Sequence, residues 1–102
     1  MYLIEDNLGE TQAMRRMILL LQRIMMDDRL TGREIRILLA VLSLAGLNNQ
    51  RVPVPIDDIC CLTGILYANV CATIRRLDSL GWVSRIRGNG RGNVSLIALR
   101  IS

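Results

Sequence analysis

A chain of 102 residues, 51% of them hydrophobic but only three aromatic, suits one domain with a core of Leu, Ile, Val and Met. It has no His, the commonest general base, which weighs against an enzyme, and three Cys without a CxxC spacing, which weighs against a disulfide framework. No apolar run reaches the ~18 residues that cross a bilayer and no basic region opens the N-terminus, so a cytoplasmic protein with no membrane partner and no signal peptide is expected.

Residues 1–8 show no strong pattern and read as an arm. Helical spacing then runs over about residues 9–28. Met14, Met17, Ile18, Leu21 and Met25 share one face, and Gln12, Arg15, Arg16, Gln22 and Arg23 define the other. Leu19 and Met26 interrupt the polar face. Such a second apolar strip is either covered by a partner or made of scattered surface apolars. On the first reading Met14, Met17, Leu19, Leu21, Met25 and Met26 are dimerisation residues, and the partner is a second copy of the chain.

The next helix has a clear start. In Thr31-Gly32-Arg33-Glu34 the Thr is an N-cap and the Glu reaches back to its amide, a capping box. The helix runs to about Ala45 with Gly46 as C-cap. Ile35, Ile37, Leu38, Leu39, Val41, Leu42 and Leu44 leave it few positions facing water, so it is expected to be the central core helix. Asn48-Asn49-Gln50 makes a loop. A short strand is expected at residues 51–54, because each Pro in Val52-Pro53-Val54-Pro55 drives its predecessor out of the α region.

A short helix over residues 56–62 follows, with Pro55 at its start and Asp57 and Asp58 favourable against the dipole of its first turn. Thr63-Gly64-Ile65 is a turn, and residues 66–80 form a longer amphipathic helix. With Val70, Ile74 and Leu77 facing inward, the opposite side carries Ala68, Ala72, Arg75, Arg76 and Ser79, flanked by Asn69, Cys71 and Thr73. A β-hairpin over residues 82–101 ends the chain, its tip reading Gly88-Asn89-Gly90-Arg91-Gly92-Asn93. Alternation puts Trp82 and Val83 on opposite faces, and groups Leu96, Ala98 and Arg100 against Ile97, Leu99 and Ile101.

Charge is distributed unevenly. The net charge is +4, yet residues 1–74 hold seven Arg against eight acids. Residues 75–102 hold Arg75, Arg76, Arg85, Arg87, Arg91 and Arg100 against Asp78 alone. All thirteen basic residues are Arg, which forks onto phosphate or guanine. The excess thus lies on the end of the 66–80 helix and on the hairpin, a placement that favours a nucleic-acid face over a solvated basic surface.

Residues 31–101 resemble the winged helix-turn-helix family of bacterial, phage and plasmid DNA-binding regulators. Gly64 matches the glycine of the family's turn, and Cys60 the small residue four positions earlier where the two helices touch. Ile65, Val70, Ile74, Leu77 and Leu80 match the apolar residues that pin the recognition helix, and Leu80-Gly81-Trp82-Val83 matches the passage into the wing. The resemblance implies a mainly α fold with a small β-hairpin: a winged helix-turn-helix (residues 31–102) with an extra N-terminal arm and dimerisation helix (residues 1–30). It implies sequence-specific binding of double-stranded DNA by a transcriptional repressor or a plasmid or phage maintenance regulator.

On that reading Ala68 and Ala72 let the helix approach a groove floor, Asn69 is suited to adenine, and Thr73 to a thymine methyl or a phosphate. Arg75 and Arg76 suit phosphates, while Arg91 at the hairpin tip, with Arg85 and Arg87 along its side, suits the minor groove or backbone. Tyr67 is either a phosphate or sugar donor or a residue packed at the core edge. The family commonly starts this helix with Ser or Thr, where this chain has Leu66-Tyr67, and the first two turns carry no charge. Phosphate and wing contacts are therefore expected to outweigh helix readout. Cys60, Cys61 and Cys71 have no His and no ligand spacing, so neither a metal nor another cofactor is expected, and no small-molecule effector is evident. The alternative is a winged helix used as a protein–protein adaptor.

Overall fold

Capping residues set the limits of the helices. The computed structural model describes residues 8–46, 52–87 and 95–100. Among them the order is α1 (Leu8–Met26), α2 (Gly32–Ala45), β1 (Val54–Pro55), α3 (Ile56–Thr63), α4 (Tyr67–Ser79), β2 (Val83–Arg87) and β3 (Ser95–Leu99). Thr31 is the N-cap of α2, and the Glu34 carboxylate accepts from both the Thr31 amide (3.1 Å) and its hydroxyl (2.8 Å). Gly46 (φ 88°) closes α2, its amide donating to the Leu42 carbonyl. The early strand lies at Val54–Pro55 rather than at residues 51–54; Arg51 and the Asn48-Asn49-Gln50 loop fall outside the described residues.

The strands form one antiparallel sheet in the order β1-β3-β2. Val54 pairs with Ile97, while Val83, Arg85 and Arg87 face Leu99, Ile97 and Ser95. Buried side chains from the helices (Ile37, Leu38, Val41, Ile56, Ile59, Val70, Ile74, Leu77) and from the sheet (Val83, Ile97, Leu99) join in one core. The architecture is thus a winged helix-turn-helix, mainly α with a small sheet, preceded by an extra N-terminal helix. Two details depart from the sequence pattern. Leu39 and Leu44 of α2 are exposed, and Ala98 is buried along with Ile97 and Leu99, so both faces of β3 are covered at its C-terminal end.

The face of α1 that packs inward is rotated from the expected one. Ala13, Leu20 and Ile24 are buried and Met17 and Leu21 pack partly against the core, whereas Met14, Ile18, Leu19, Met25 and Met26 are exposed. Residues 13, 17, 20 and 24 also follow helical spacing, and the unbroken apolar run over residues 17–21 satisfies either register. The short Ala13 and stiff Ile24 face inward and the flexible Met14, Met25 and Met26 stay outside. The end of α1 is fastened to the start of the hairpin. The Trp82 indole N–H donates to Asp27 Oδ2 (2.8 Å), and the Arg23 guanidinium stands 5.7 Å above the Trp82 ring.

Candidate nucleic-acid interface

The helix-turn-helix angle is made by one glycine and one hydroxyl. Gly64 ends α3 in the left-handed conformation (φ 72°), its amide donating to the Cys60 carbonyl. The Thr63 hydroxyl donates to the Ile59 carbonyl (2.7 Å) and accepts from the Ile65 amide (3.2 Å), so both sides of the turn are tied. The Arg36 guanidinium reaches across from α2 to the Thr63 carbonyl (2.8 Å). The result is an angle of 113° between α3 and α4, within the range of helix-turn-helix pairs.

Val70, Ile74 and Leu77 bury the inner face of α4 as the spacing predicts, and Cys71 is buried beside them. Ala68, Ala72, Arg75 and Ser79 are exposed on the opposite side, with Asn69 half-buried at the flank. No carboxylate pairs with Arg75 or Arg85 among the described residues. Leu66 replaces a polar cap, its side chain projecting from the head of α4 with 73% of its surface exposed.

Three candidate residues occupy other settings than expected. Thr73 is only 7% exposed, and its hydroxyl donates to the Asn69 carbonyl one turn back (2.8 Å), which lets a polar residue face inward. Arg76 turns towards α2 instead of outward. Its Nε donates to Glu34 (3.2 Å) and its Nη2 to the Arg29 carbonyl (3.1 Å), so it clamps α4 to the start of α2. Tyr67 is half exposed, with its hydroxyl beside Cys71 and Ser95 at the junction of α4 and β3. The neighbouring Cys71 raises the Tyr67 pKa, burial adds to the rise, and the Ser95 hydroxyl opposes it.

Glu34 is the buried charge that this arrangement requires. Burial pushes its carboxyl upward, but the Thr31 hydroxyl and amide and the Arg76 guanidinium outweigh that cost and hold it below its ordinary value. Arg76, Glu34, Thr31, Thr73, Arg33 and Ala72 line a shallow hollow of about 480 Å³ between α2 and α4. On the wing, Arg85 is exposed and its Nη2 lies 3.4 Å from the Ser95 hydroxyl, which places it near the head of α4. The Arg87 side chain, the 88–93 tip with Arg91, and Ile101 lie outside the described residues.

Asp27 and Cys60 are shifted in opposite directions by their surroundings. The Arg29 guanidinium, in a forked pair with both Asp27 oxygens, and the Trp82 indole hold the Asp27 carboxyl well below the usual carboxylate range. Nothing in the sequence signals the Asp27–Trp82 contact, which spans 55 residues. Cys60, Cys61 and Cys71 are free thiols, and burial pushes the Cys60 thiol up, away from reactivity. Among the described residues no three His, Cys, Asp or Glu side chains form a metal-binding group, and no single helix is long and apolar enough to cross a membrane.

No family model matches the chain, and no curated protein matches it. One solved structure with the same fold is that of BpsR from Bordetella bronchiseptica, studied for the regulation of its DNA binding by 6-hydroxynicotinic acid. The match has a TM-score of 0.57 and 20% identity, and covers 97% of this chain and 67% of BpsR.

Proposed function

We propose that this chain is a regulator that binds double-stranded DNA, with α4 in the major groove and the β2–β3 hairpin against the flanking backbone. The observation that carries the reading is the outward face of α4. Ala68 and Ala72 leave its surface shallow, and the exposed Arg75 on α4 and Arg85 on the wing are free of carboxylates among the described residues. BpsR, which shares the fold, is itself described as DNA-binding. The proposed role is repression, in which occupancy of an operator blocks a promoter; plasmid or phage maintenance uses the same occupancy.

The proposed active form is a homodimer joined through α1. Its exposed Met14, Leu19, Met25 and Met26, with Ile18, supply apolar surface for a second copy, while Met17 and Leu21 already pack partly on their own core. A dimer would set two recognition helices in successive major grooves. The same Met-rich surface favours the second reading, a protein adaptor.

Selection from a random duplex pool at graded salt separates the two. A regulator retains duplex and enriches one motif, whereas an adaptor retains none at moderate salt. On the enriched duplex, Arg75→Ala and Arg85→Ala should each weaken binding and lower the slope of log affinity against log salt by about 0.9. Asn69→Ala should instead broaden the enriched motif. Unchanged slopes in both arginine variants would reject this interface.

A further inference from the structure

The head of the recognition helix carries an apolar side chain that the core does not use. Leu66, the N-cap of α4, is 73% exposed, and Leu62 in the last turn of α3 is also exposed. Tyr67 beside Leu66 is half exposed, Ala68 and Ala72 are the exposed residues that follow on α4, and no charge occurs between Tyr67 and Ile74. The first outward cation is Arg75, in the third turn. Arg33, exposed at the start of α2, lines the same hollow as Ala72, and Arg85 is exposed on the wing.

An apolar strip with exposed cations on neighbouring elements is complementary in charge to a major groove, whose floor is uncharged and whose edges are phosphate. Guanine is read best by a forked cation, and the first two turns of α4 offer none. The apolar feature of that groove is the 5-methyl group of thymine. Asn69, half-buried at the side of the strip, has the donor and acceptor that match the adenine edge.

We infer that Leu66, Ala68 and Ala72 form a reading surface for thymine methyl groups, so that α4 selects A·T pairs chiefly by apolar contact. This rests on the proposed DNA-binding function, and it adds the base class and the groups that read it.

The test compares duplexes that differ only in that methyl. The full-length protein is first used to enrich a randomised 20-bp duplex library, and the enriched duplex is then remade with uracil at each thymine in turn. Uracil preserves the base pair and removes only the methyl. The expected result is a loss of about fourfold in affinity at each of one or two positions, the effect of exposing one apolar carbon group. In Leu66→Ala, a change at an exposed site that leaves the core intact, the thymine and uracil duplexes should bind equally at one of those positions. Affinity for the duplex with uracil there should stay at the wild-type value. Enrichment of a duplex whose affinity is indifferent to uracil, or a Leu66→Ala loss equal on both duplexes, would overturn this inference and leave the DNA-binding reading standing. Retention of no duplex would overturn both.

Discussion

Removing Glu34 should loosen the junction between α2 and α4. The carboxylate accepts three hydrogen bonds, from the Thr31 amide, the Thr31 hydroxyl and Arg76 Nε, while the residue is only 5% exposed. In Glu34→Ala the lost cap at the Thr31 amide costs about 1 kcal/mol. The hydrogen bond lost at the hydroxyl of the exposed Thr31 is worth about 1 kcal/mol net. The ion pair adds less than about 1 kcal/mol, because the Arg76 side chain is half exposed and regains water. The total is about 2–3 kcal/mol, which lowers the melting temperature by on the order of 10 °C in a domain of this size. Urea unfolding followed by the fluorescence of Trp82, the single tryptophan, measures it. Glu34→Gln keeps the shape and one acceptor, so its loss should be about half as large. The pH dependence has a fixed sign. The folded carboxyl lies below its ordinary value, so its contribution is complete above the ordinary glutamate range and disappears as pH falls through the depressed folded value. A Glu34→Ala loss under about 0.5 kcal/mol, or a wild-type advantage that grows in acid, would refute the reasoning.

Three further outcomes are expected. Gly64→Ala should destabilise by about 1 kcal/mol in thermal or urea melts, since the cost there is the left-handed backbone and not crowding; a neutral result would contradict the turn geometry. Emission from Trp82 should stay constant through the ordinary carboxylate range and change only in stronger acid, where Asp27 takes up a proton. Asp27→Asn should show no such acid transition, and a wild-type transition at the ordinary aspartate value would contradict the Arg29 and Trp82 contacts. Met25→Glu combined with Met26→Glu should shift the sedimentation of a dimeric wild type to that of a monomer with no change in melting temperature, because both side chains are largely exposed in the single chain. A monomeric wild type would remove the homodimer from the proposal.

Local chemistry made much of the fold legible in advance. Thr31 with Glu34, Gly46 and Gly64 act within a turn of their own positions, so the limits of α2 and α3 and the bend before α4 could be read from neighbouring residues. The inward face of α4 was equally legible, because Val70, Ile74 and Leu77 alternate with small or charged residues. The face of α1 was not, since a continuous apolar run satisfies two registers and only the packed partner chooses between them. The candidate site divides in the same way. Ala68, Ala72 and Arg75 lie outward as their spacing implies, whereas the orientation of Arg76 depends on Glu34, 42 residues earlier. Thr73 shows the opposite limit: a polar side chain that satisfies itself on its own helix carries no sequence sign that it is buried.

The two-residue strand β1 gives the wing a mechanical role. Val54 and Pro55 pair with Ile97 and Leu96 on the central strand, and α3 begins at the next residue, Ile56. Tilting of the hairpin therefore pulls on the first turn of α3 as well as on the exit from α4, so the bihelical unit is gripped at both ends by one strand. Slow-exchanging amides in β3 should accordingly open together with those of α3 rather than with a separately fraying hairpin. Strain applied at the wing would then reach the proposed DNA-facing surface of α4 as a rotation of the whole helix pair.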